Sequence, residues 1–390
     1  MRTIKDIDID NKMVIIRCDF NVPIKDGRII DDNRIKMSIP TINYCLEKNC
    51  KIILLSHLGR IKDEKDLEKN SLEPVAKKLQ EILNKKVNFI SQTRGKEVEE
   101  AINNLNSQEI IMLQNTRYED LIGKKESSND EELSKYWANL GDVFINDAFG
   151  TIHRSHASNV GIATYLPSAI GFLVEKELNA LSSLNNPQKP FIVILGGSKV
   201  KDKIGVIKNL VKISDKILIG GGMAFTFLKA QNYEIGKSIL DEESIEFCQD
   251  ILRKYPDKIV LPVDVSITTE YSNETPSVNK DIEAVSQNEM GLDIGPKTTA
   301  IFKDVLKTAN TVLWNGPLGV YEFSKYKKST DSILNYLVDN NIKTILGGGD
   351  IVAAATNANL KDKVYHASTG GGATLEYLEG KKLPGLEIIK

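Results

Sequence analysis

The sequence predicts an α/β protein built from two parallel sheets, one in each half of the chain. Three observations lead there. Short runs that are apolar at every position recur along the chain, stretches with apolar residues at helical spacing separate them, and the whole pattern occurs twice with an Asn/Pro-rich break between. A strand buried on both faces has no solvent side to make polar. Unbroken Ile/Val/Leu runs between helices therefore mark parallel sheets covered on both sides.

In the first half the predicted strands are MVIIR (13–17), KIILL (51–55), VNFI (87–90), EIIML (109–113) and DVFIN (142–146). LEPVAKKLQEIL (72–83) carries its apolar residues on one helical face, and IKDEKDLEKN (61–70) reads as a solvated loop. The strands of the second half are FIVIL (191–195), KILIG (216–220), KIVLP (258–262), TVLWN (311–315) and KTILG (343–347). Between the halves, AIGFLVEKELNALSSL (169–184) reads as one helix, which NNPQKP (185–190) breaks. A helix followed by such a connection suits an inter-domain linker; the alternative is a surface helix within one domain.

Composition narrows the functional classes. The chain has 390 residues, 41% hydrophobic and 27% charged, with a formal net charge of −2, which fits a globular protein of two or three domains. Near-neutral charge gives no support for a general nucleic-acid or membrane binder. Cys18, Cys45, Cys50 and Cys248 form no CxxC pair and read as reduced core thiols. The start, MRTIKDIDID, lacks the apolar segment of a signal peptide, and no apolar stretch approaches 18 residues, so a cytoplasmic location is expected.

In open α/β sheets ligands bind beyond the carboxyl ends of the strands, and there the halves differ. The second half is glycine-rich: GGSK (196–199), GGGMA (220–224), NGPLG (315–319), GGGD (347–350) and STGGGA (368–373). Such turns let backbone N–H groups approach a phosphate, although single glycine turns also serve tight packing. Neither GxxxxGK[ST] nor a GxGxxG after a strand is present, which excludes a Walker A loop and counts against a dinucleotide site. The first half instead places RCDFNVP (17–23), Arg34, SHLGR (56–60), QNTRYE (114–119) and FGTIHRSHASN (149–159) at its strand ends. Recurring arginines suit an anion with several oxygens. His153 and His156 stand three apart without a third ligand nearby, which argues against zinc, and His366 reads as packing.

One segment poses an electrostatic problem. ILGGSKVKDKIG (194–205) places Lys199, Lys201 and Lys203 where a helix is expected to begin near Ser198. Cations at a helix N-terminus, two of them at i,i+4, are unfavourable unless an anion joins them.

With these residues assembled, the sequence resembles the phosphoglycerate kinase family over nearly its whole length. RCDFNVP, SHLGR, NDAFGTIHRSHASNVG, GGSKVKDK, GGGMAFTFLK, MGLDIGP, WNGPLGVYE, GGGD and STGGGATLEYLEGK occur in the family's order. The resemblance implies two Rossmann-like, doubly wound parallel-sheet domains joined by a hinge helix: 1–168 for the phosphoglycerate, 169–185 between, and 186–379 for the nucleotide, with the tail 380–390 packed on the first domain. It implies reversible phosphoryl transfer between 1,3-bisphosphoglycerate and ADP, in line after domain closure, by a cytoplasmic monomer using Mg²⁺ with ATP or ADP. The acid's contacts would be Asp19, Phe20, Asn21, Arg34, His57, Leu58, Gly59, Arg60, Arg117 and Arg154. The nucleotide's would be Lys203, Gly291, Asn315, Glu322, Gly348, Gly349, Asp350 and Ile351, with Asp350 also holding magnesium. Arg34, Lys199, Gly371 and Gly372 would act on the phosphoryl group in flight. No general base is needed, because the acceptor carboxylate is already ionised at neutral pH. Two departures stand out: Ile351 where the family usually has Ser or Thr, expected to cost one hydrogen bond to the nucleotide, and Gln114 where Glu is common, expected to loosen an ion pair. The competing readings are an NAD-dependent dehydrogenase and a non-enzymatic two-lobed anion-binding protein. The first lacks GxGxxG, and the second gives no role to Lys199, Lys203 and GGGD.

Overall fold

The structure, a computed structural model, describes residues 1–389 and divides into two units. The first takes Met1–Asn179 and the chain from Lys382 onward; the second is Ala180–Lys381.

In the first unit the strands are β1 (Met13–Cys18), a small hairpin β2 (Ile24–Lys25) and β3 (Arg28–Ile29), then β4 (Lys51–Leu55), β5 (Val87–Ile90), β6 (Ile110–Leu113), β7 (Val143–Asp147) and β8 (Ser168–Ile170). Six of them form one parallel sheet in the order β5-β6-β4-β1-β7-β8. The apolar runs explain it. Val14 and Ile16 of β1 enter one buried cluster and Ile15 the other, so both faces of one strand are core. β1 lies between β4 and β7, where the direction of winding reverses. At such a point the strand ends leave a crevice.

The second unit repeats the design with β9 (Phe191–Leu195), β10 (Lys216–Ile219), β11 (Ile259–Val260), β12 (Asp264–Thr268), β13 (Val278–Asp281), β14 (Met290–Ile294), β15 (Thr311–Asn315), β16 (Lys343–Leu346) and β17 (His366–Ala367). Its parallel sheet runs β11-β10-β9-β15-β16-β17, with the reversal between β9 and β15. A separate antiparallel sheet, β13-β12-β14, lies outside what the apolar runs predicted. Its strands alternate: Val265 and Ile267 enter a small apolar cluster while Ser266 does not. Asp264, the first residue of its central strand, accepts from the N–H of Thr298 at 2.7 Å and of Lys297 at 3.0 Å, capping the helix Pro296–Leu306.

Two expectations are corrected. The helix read over 169–184 is β8, then a helix over Phe172–Ser182, then a single tight turn over Ser183–Asn185. Asp147 decides the start: its Oδ1 accepts the N–H of Leu173 at 2.9 Å, and a Cβ on Gly171 would lie 2.3 Å from that oxygen. The division between units falls within this helix. The helix expected near Ser198 begins instead at Ile204, after a turn over Lys201–Lys203. Asp241 accepts the N–H of Lys201 at 2.8 Å and holds the segment out as a loop. Lys199 and Lys201 are exposed there, and the helical crowding of like charge does not arise.

The chain end belongs to the first unit through backbone contact. Gly385 donates its N–H to Ile152 O at 2.9 Å, and a Cβ there would meet Asn159 Oδ1 at 2.6 Å.

Replacing Asp264 by Ala removes the acceptor for two buried-end N–H groups of Pro296–Leu306. Chemical denaturation should show a loss of about 1–2 kcal/mol, the usual range for a helix cap. An unchanged midpoint would mean that the cap is dispensable.

Candidate functional site

In the first unit the carboxyl ends of β1, β4, β6 and β7 carry the residues that the sequence singled out. Asp19 follows β1, and Arg34 reaches it from the first turn of the helix Asn33–Glu47, where their side chains form an ion pair. The N-cap of that helix is Asp32, so carboxylates on both sides offset the positive helix end at which Arg34 stands. Burial acts to raise the Asp19 carboxyl, but Arg34, His57 and Arg17 outweigh it and hold the pKa below the usual range.

Two residues that the sequence reading passed over organise this end. Arg17 is fully buried, with Nε donating to Ser158 Oγ at 2.8 Å, Nη1 to Cys18 O, and Nη2 to His57 Nδ1 at 3.3 Å. Arginine can only donate, so His57 accepts at Nδ1 and carries its proton on Nε2. Burial, reinforced by Arg17, Arg117 and Arg154, keeps the His57 pKa well below its usual value against the pull of Asp19. Asn115 is also fully buried. Its Nδ2 donates to Leu58 O at 2.6 Å and Asn70 O at 3.0 Å, and its Oδ1 accepts from Leu58 N–H at 3.1 Å and Arg117 N–H at 3.0 Å. One amide thus fixes both the SHLGR loop and the start of the Arg117 turn. Within QNTRYE, an asparagine two before an arginine was the available signal.

Arg60, Arg117 and Arg154 line one cavity of about 850 Å³ together with Lys62, Lys124 and His156. Arg117 Nη1 donates to Asp120 Oδ2 and to Ser127 Oγ, each at 2.9 Å. Its Nε is buried with no partner in the protein. His153 accepts from Arg154 Nε at 3.2 Å through Nε2, so its neutral ring carries the proton on Nδ1, which is also buried without a partner. Buried donors without acceptors are uncommon and costly. Of the two residues, Arg117 lines the cavity and His153 does not. Burial first, then Arg154, lowers the His153 pKa to about 4; burial, then Arg117, Arg17 and Arg154, lowers His156 to about 3. The imidazoles are therefore neutral and add no repulsion to the arginines. Glu126, fully buried and missed by the sequence reading, accepts from the N–H of Ser158 at 2.9 Å and from its Oγ at 2.5 Å, holding the partner of Arg17.

Three expectations for this end change. The Phe20 side chain is fully buried in the apolar core, and its N–H is used by Ser56 Oγ at 2.8 Å. Leu58 is buried, with both backbone groups taken by Asn115. Neither side chain faces a ligand, because both are needed as core beneath the loops. Gln114 loosens nothing: its Oε1 accepts from Leu72 N–H and Asn115 N–H, each at 2.9 Å, and its Nε2 donates to Ser71 Oγ at 3.0 Å. A glutamate could not donate that last bond. Asn21 Oδ1 accepts from Gly59 N–H at 2.9 Å, and Gly59 has φ +60°, which brings RCDFNVP and SHLGR together.

In the second unit the reversal between β9 and β15 is closed by backbone. A Cβ on Gly196 would lie 2.0 Å from Pro317 O, and one on Gly316 2.5 Å from Gly196 O. Beside them Lys203, nearly buried, donates Nζ to Asn315 Oδ1, while Asn315 Nδ2 donates to Gly347 O. Burial lowers the Lys203 pKa, opposed by Asp202 and Asp350. The Tyr321 phenol is raised by burial, then by Glu322 and Asp350. Gly348 has φ +139° and leads into the helix Gly349–Asn357, with Asp350 exposed in its first turn. Lys199 is exposed on the loop after β9. Gly371, with φ +52°, precedes the helix that begins at Gly372, and a Cβ on Gly371 would meet nothing within 4 Å.

Two assigned nucleotide residues also serve the packing. Ile351 is fully buried among Trp314, Leu346 and Ala354 of the core, so only its backbone N–H, in the first turn of the helix, is turned to the strand ends. The absent hydroxyl costs no ligand contact, because that side chain points inward. Gly291 donates its N–H to Ser238 Oγ at 2.9 Å, and a Cβ there would lie 2.0 Å from the Phe225 ring, so its glycine is explained by packing.

A family model described as phosphoglycerate kinase matches residues 4–381. The chain is similar to the phosphoglycerate kinases of Fusobacterium nucleatum, 55% identical across all of this chain and 99% of that one, and Staphylococcus epidermidis, 53% identical across all of this chain and 98% of that one. Its fold is similar to solved structures of phosphoglycerate kinase from Coxiella burnetii (TM-score 0.88, 39% identity, 99% and 98% of the two chains) and from Pyrococcus horikoshii OT3 (TM-score 0.86, 30% identity, 100% and 98%).

Two predictions come from this geometry. Ile351→Thr buries a hydroxyl among apolar neighbours and should lower unfolding stability by about 1–3 kcal/mol; calorimetric ADP affinity of the folded protein should not rise. The second concerns pH. His156 is neutral in the fold, whereas in the unfolded chain it takes up a proton near pH 6.5. Its contribution is complete above 6.5 and is lost as pH falls towards about 3. His156→Gln should therefore reduce the steepness of acid destabilisation across that window by up to one proton, about 1.4 kcal/mol per pH unit. Parallel pH–stability curves for the two proteins would contradict the buried neutral state.

Proposed function

We propose a division of labour for this chain, which belongs to the phosphoglycerate kinase family and transfers a phosphoryl group reversibly between 1,3-bisphosphoglycerate and ADP to give 3-phosphoglycerate and ATP. The first unit holds the phosphoglycerate and the second the nucleotide. The observation that carries this reading is the arginine-lined cavity of the first unit, in which Arg117 Nε is buried without an acceptor. A phosphate supplies several acceptor oxygens and suits guanidinium forks.

On this reading Arg60, Arg117 and Arg154 anchor the non-transferring phosphate. Asp19, Asn21, His57 and Gly59 orient the glyceryl chain, and Arg34 acts at its carboxyl end. Lys203, Asn315 and the turn Gly348–Ile351 receive the nucleotide phosphates, the last through backbone N–H groups at a helix N-terminus. Glu322 takes the ribose hydroxyls. Lys199, exposed and unburdened by burial, holds the oxygens of the group in transfer, and the N–H groups at Gly371 and Gly372 add to it. In a loose transition state charge spreads over the equatorial and in-line oxygens, so positioned cations and donors supply the catalysis. Water is kept out while both substrates are held, which protects an acyl phosphate that hydrolyses readily.

Magnesium fits the residues present. Asp350 offers an exposed carboxylate in the first turn of the helix Gly349–Asn357, and Mg²⁺ typically takes one or two carboxylates with phosphate oxygens and water. When bound with nucleotide it would neutralise phosphate charge. A cytoplasmic monomer is the corresponding proposal for location and assembly; among the described residues no helix is long and apolar enough to cross a membrane.

Lys199→Ala should lower turnover by a factor on the order of 10² to 10³ in a coupled assay of ATP formation, with ADP affinity little changed. Arg117→Ala and Arg154→Ala should mainly raise KM for the phosphorylated acid. If these two lost only nucleotide affinity, the assignment of substrates to units would be reversed.

A further inference from the structure

A second cavity, of about 670 Å³, lies in the second unit, and none of the residues assigned above lines it. Its wall is the outer face of the small antiparallel sheet, where Ser266, Asn279 and Asp293 stand on neighbouring strands β12, β13 and β14. The rest comes from the helices Pro296–Leu306 and Lys328–Asp339, from the segment before the second of them, and from Pro276 and Ser277 ahead of β13.

Three lysines line this space: Lys303, Lys325 and Lys328. Most ion pairs of the surface join a lysine to a carboxylate, often one turn away on the same helix. Among the described residues none of these three has such a partner. Lys325 Nζ donates to the carbonyls of Glu274 at 3.0 Å and Thr275 at 3.1 Å, which fix its position without neutralising it. Lys303 lies over the Tyr336 ring at 5.8 Å. The one carboxylate in the lining, Asp293, is spent: it accepts from Ser329 N–H at 3.2 Å, from Ser329 Oγ, and from Ile294 N–H at 2.9 Å. Burial raises its pKa to about 7, so near neutrality it offsets less than one of the lysine charges. Around the cations stand Ser277, Thr299 and Ser332 with the amide of Asn279. The volume exceeds what a bare phosphate needs and lies in the range of small-molecule sites.

We propose that this cavity binds a small polyhydroxylated phosphate ester, its phosphate held by Lys303, Lys325 and Lys328 and its hydroxyls by the serine, threonine and asparagine side chains. The three ammonium groups lining this space have no carboxylate partner among the described residues, and a dianionic group would offset their charge as a single neutral ligand cannot. None of its lining residues is assigned to either substrate, and its separation from the substrate sites rests on those proposed assignments.

The test is calorimetric titration of the full chain with 3-phosphoglycerate and ADP saturating, which fills the substrate sites. Ribose 5-phosphate is the probe and inorganic phosphate the comparison. The expected result is one further site for ribose 5-phosphate. Its affinity should fall ten-fold or more in the double variant Lys325→Ala/Lys328→Ala and be largely kept in Lys325→Arg/Lys328→Arg, with both variants melting as the parent does. Inorganic phosphate should bind there more weakly. No further site in the parent, or binding indifferent to the alanine pair, overturns the proposal. Equal affinity for phosphate and ester overturns the choice of an ester.

Discussion

Each large sheet is buried on both faces, and everything polar in this protein has to accommodate that constraint. A parallel strand such as β1 has Ile15 packed on one side and Val14 and Ile16 on the other. No side of the sheet is left for chemistry, and charged groups placed there would be stranded away from water. The strand ends are the remaining positions, and at the winding reversals of β1 and β9 they open into crevices. The exception illustrates the rule. The small antiparallel sheet is apolar on one face only, and its polar face lines the one cavity that we assign outside the strand ends of the large sheets.

Concentrating cations at those ends creates an electrostatic cost, which the first unit limits in three ways. Arg34 and Arg117 are given carboxylates, Asp19 and Asp120, close enough to pair. Arg17 is spent on a hydroxyl, a carbonyl and a ring nitrogen. The three histidines among the arginines are kept neutral by burial, so they serve as polar groups without adding charge. What remains without a protein acceptor among the cavity's arginines is a donor, Arg117 Nε. A site that stays short of acceptors without ligand is prepared for an oxyanion.

Each unit also relies on one buried asparagine to tie its strand-end loops. Asn115 joins the loops after β4 and β6 through four hydrogen bonds. Asn315 joins Lys203, beyond β9, to Gly347, beyond β16. An amide both donates and accepts, which a carboxylate cannot do at neutral pH, so it can span two backbone segments with no charge to bury.

Strand identity was legible from the sequence alone, because burial on both faces writes itself into composition: all ten apolar runs became strands, shifted by a residue or so at their ends, though KIVLP kept only Ile259–Val260. The family was legible too, since the motifs follow one another in a fixed order and the whole chain aligns with its relatives. The strands β12 and β13 were not: β12 is buried but carries Asp264, Ser266 and Thr268 between its apolar residues, and β13 is mostly exposed, so neither has a continuous apolar run to mark it. Nor could the direction of a side chain near a helix start be read. Ile351 and Phe20 sit inside conspicuous motifs, yet point into the core, because a residue's place in a motif does not say which way its Cβ faces. Asp147 delays the start of the helix read over 169–184, and Asp241 holds the lysine loop out of the next one, through partners 26 and 40 residues away. Local pattern records what a residue prefers among its neighbours in sequence. Only the tertiary structure decides which distant carboxylate or ring is close enough to override it.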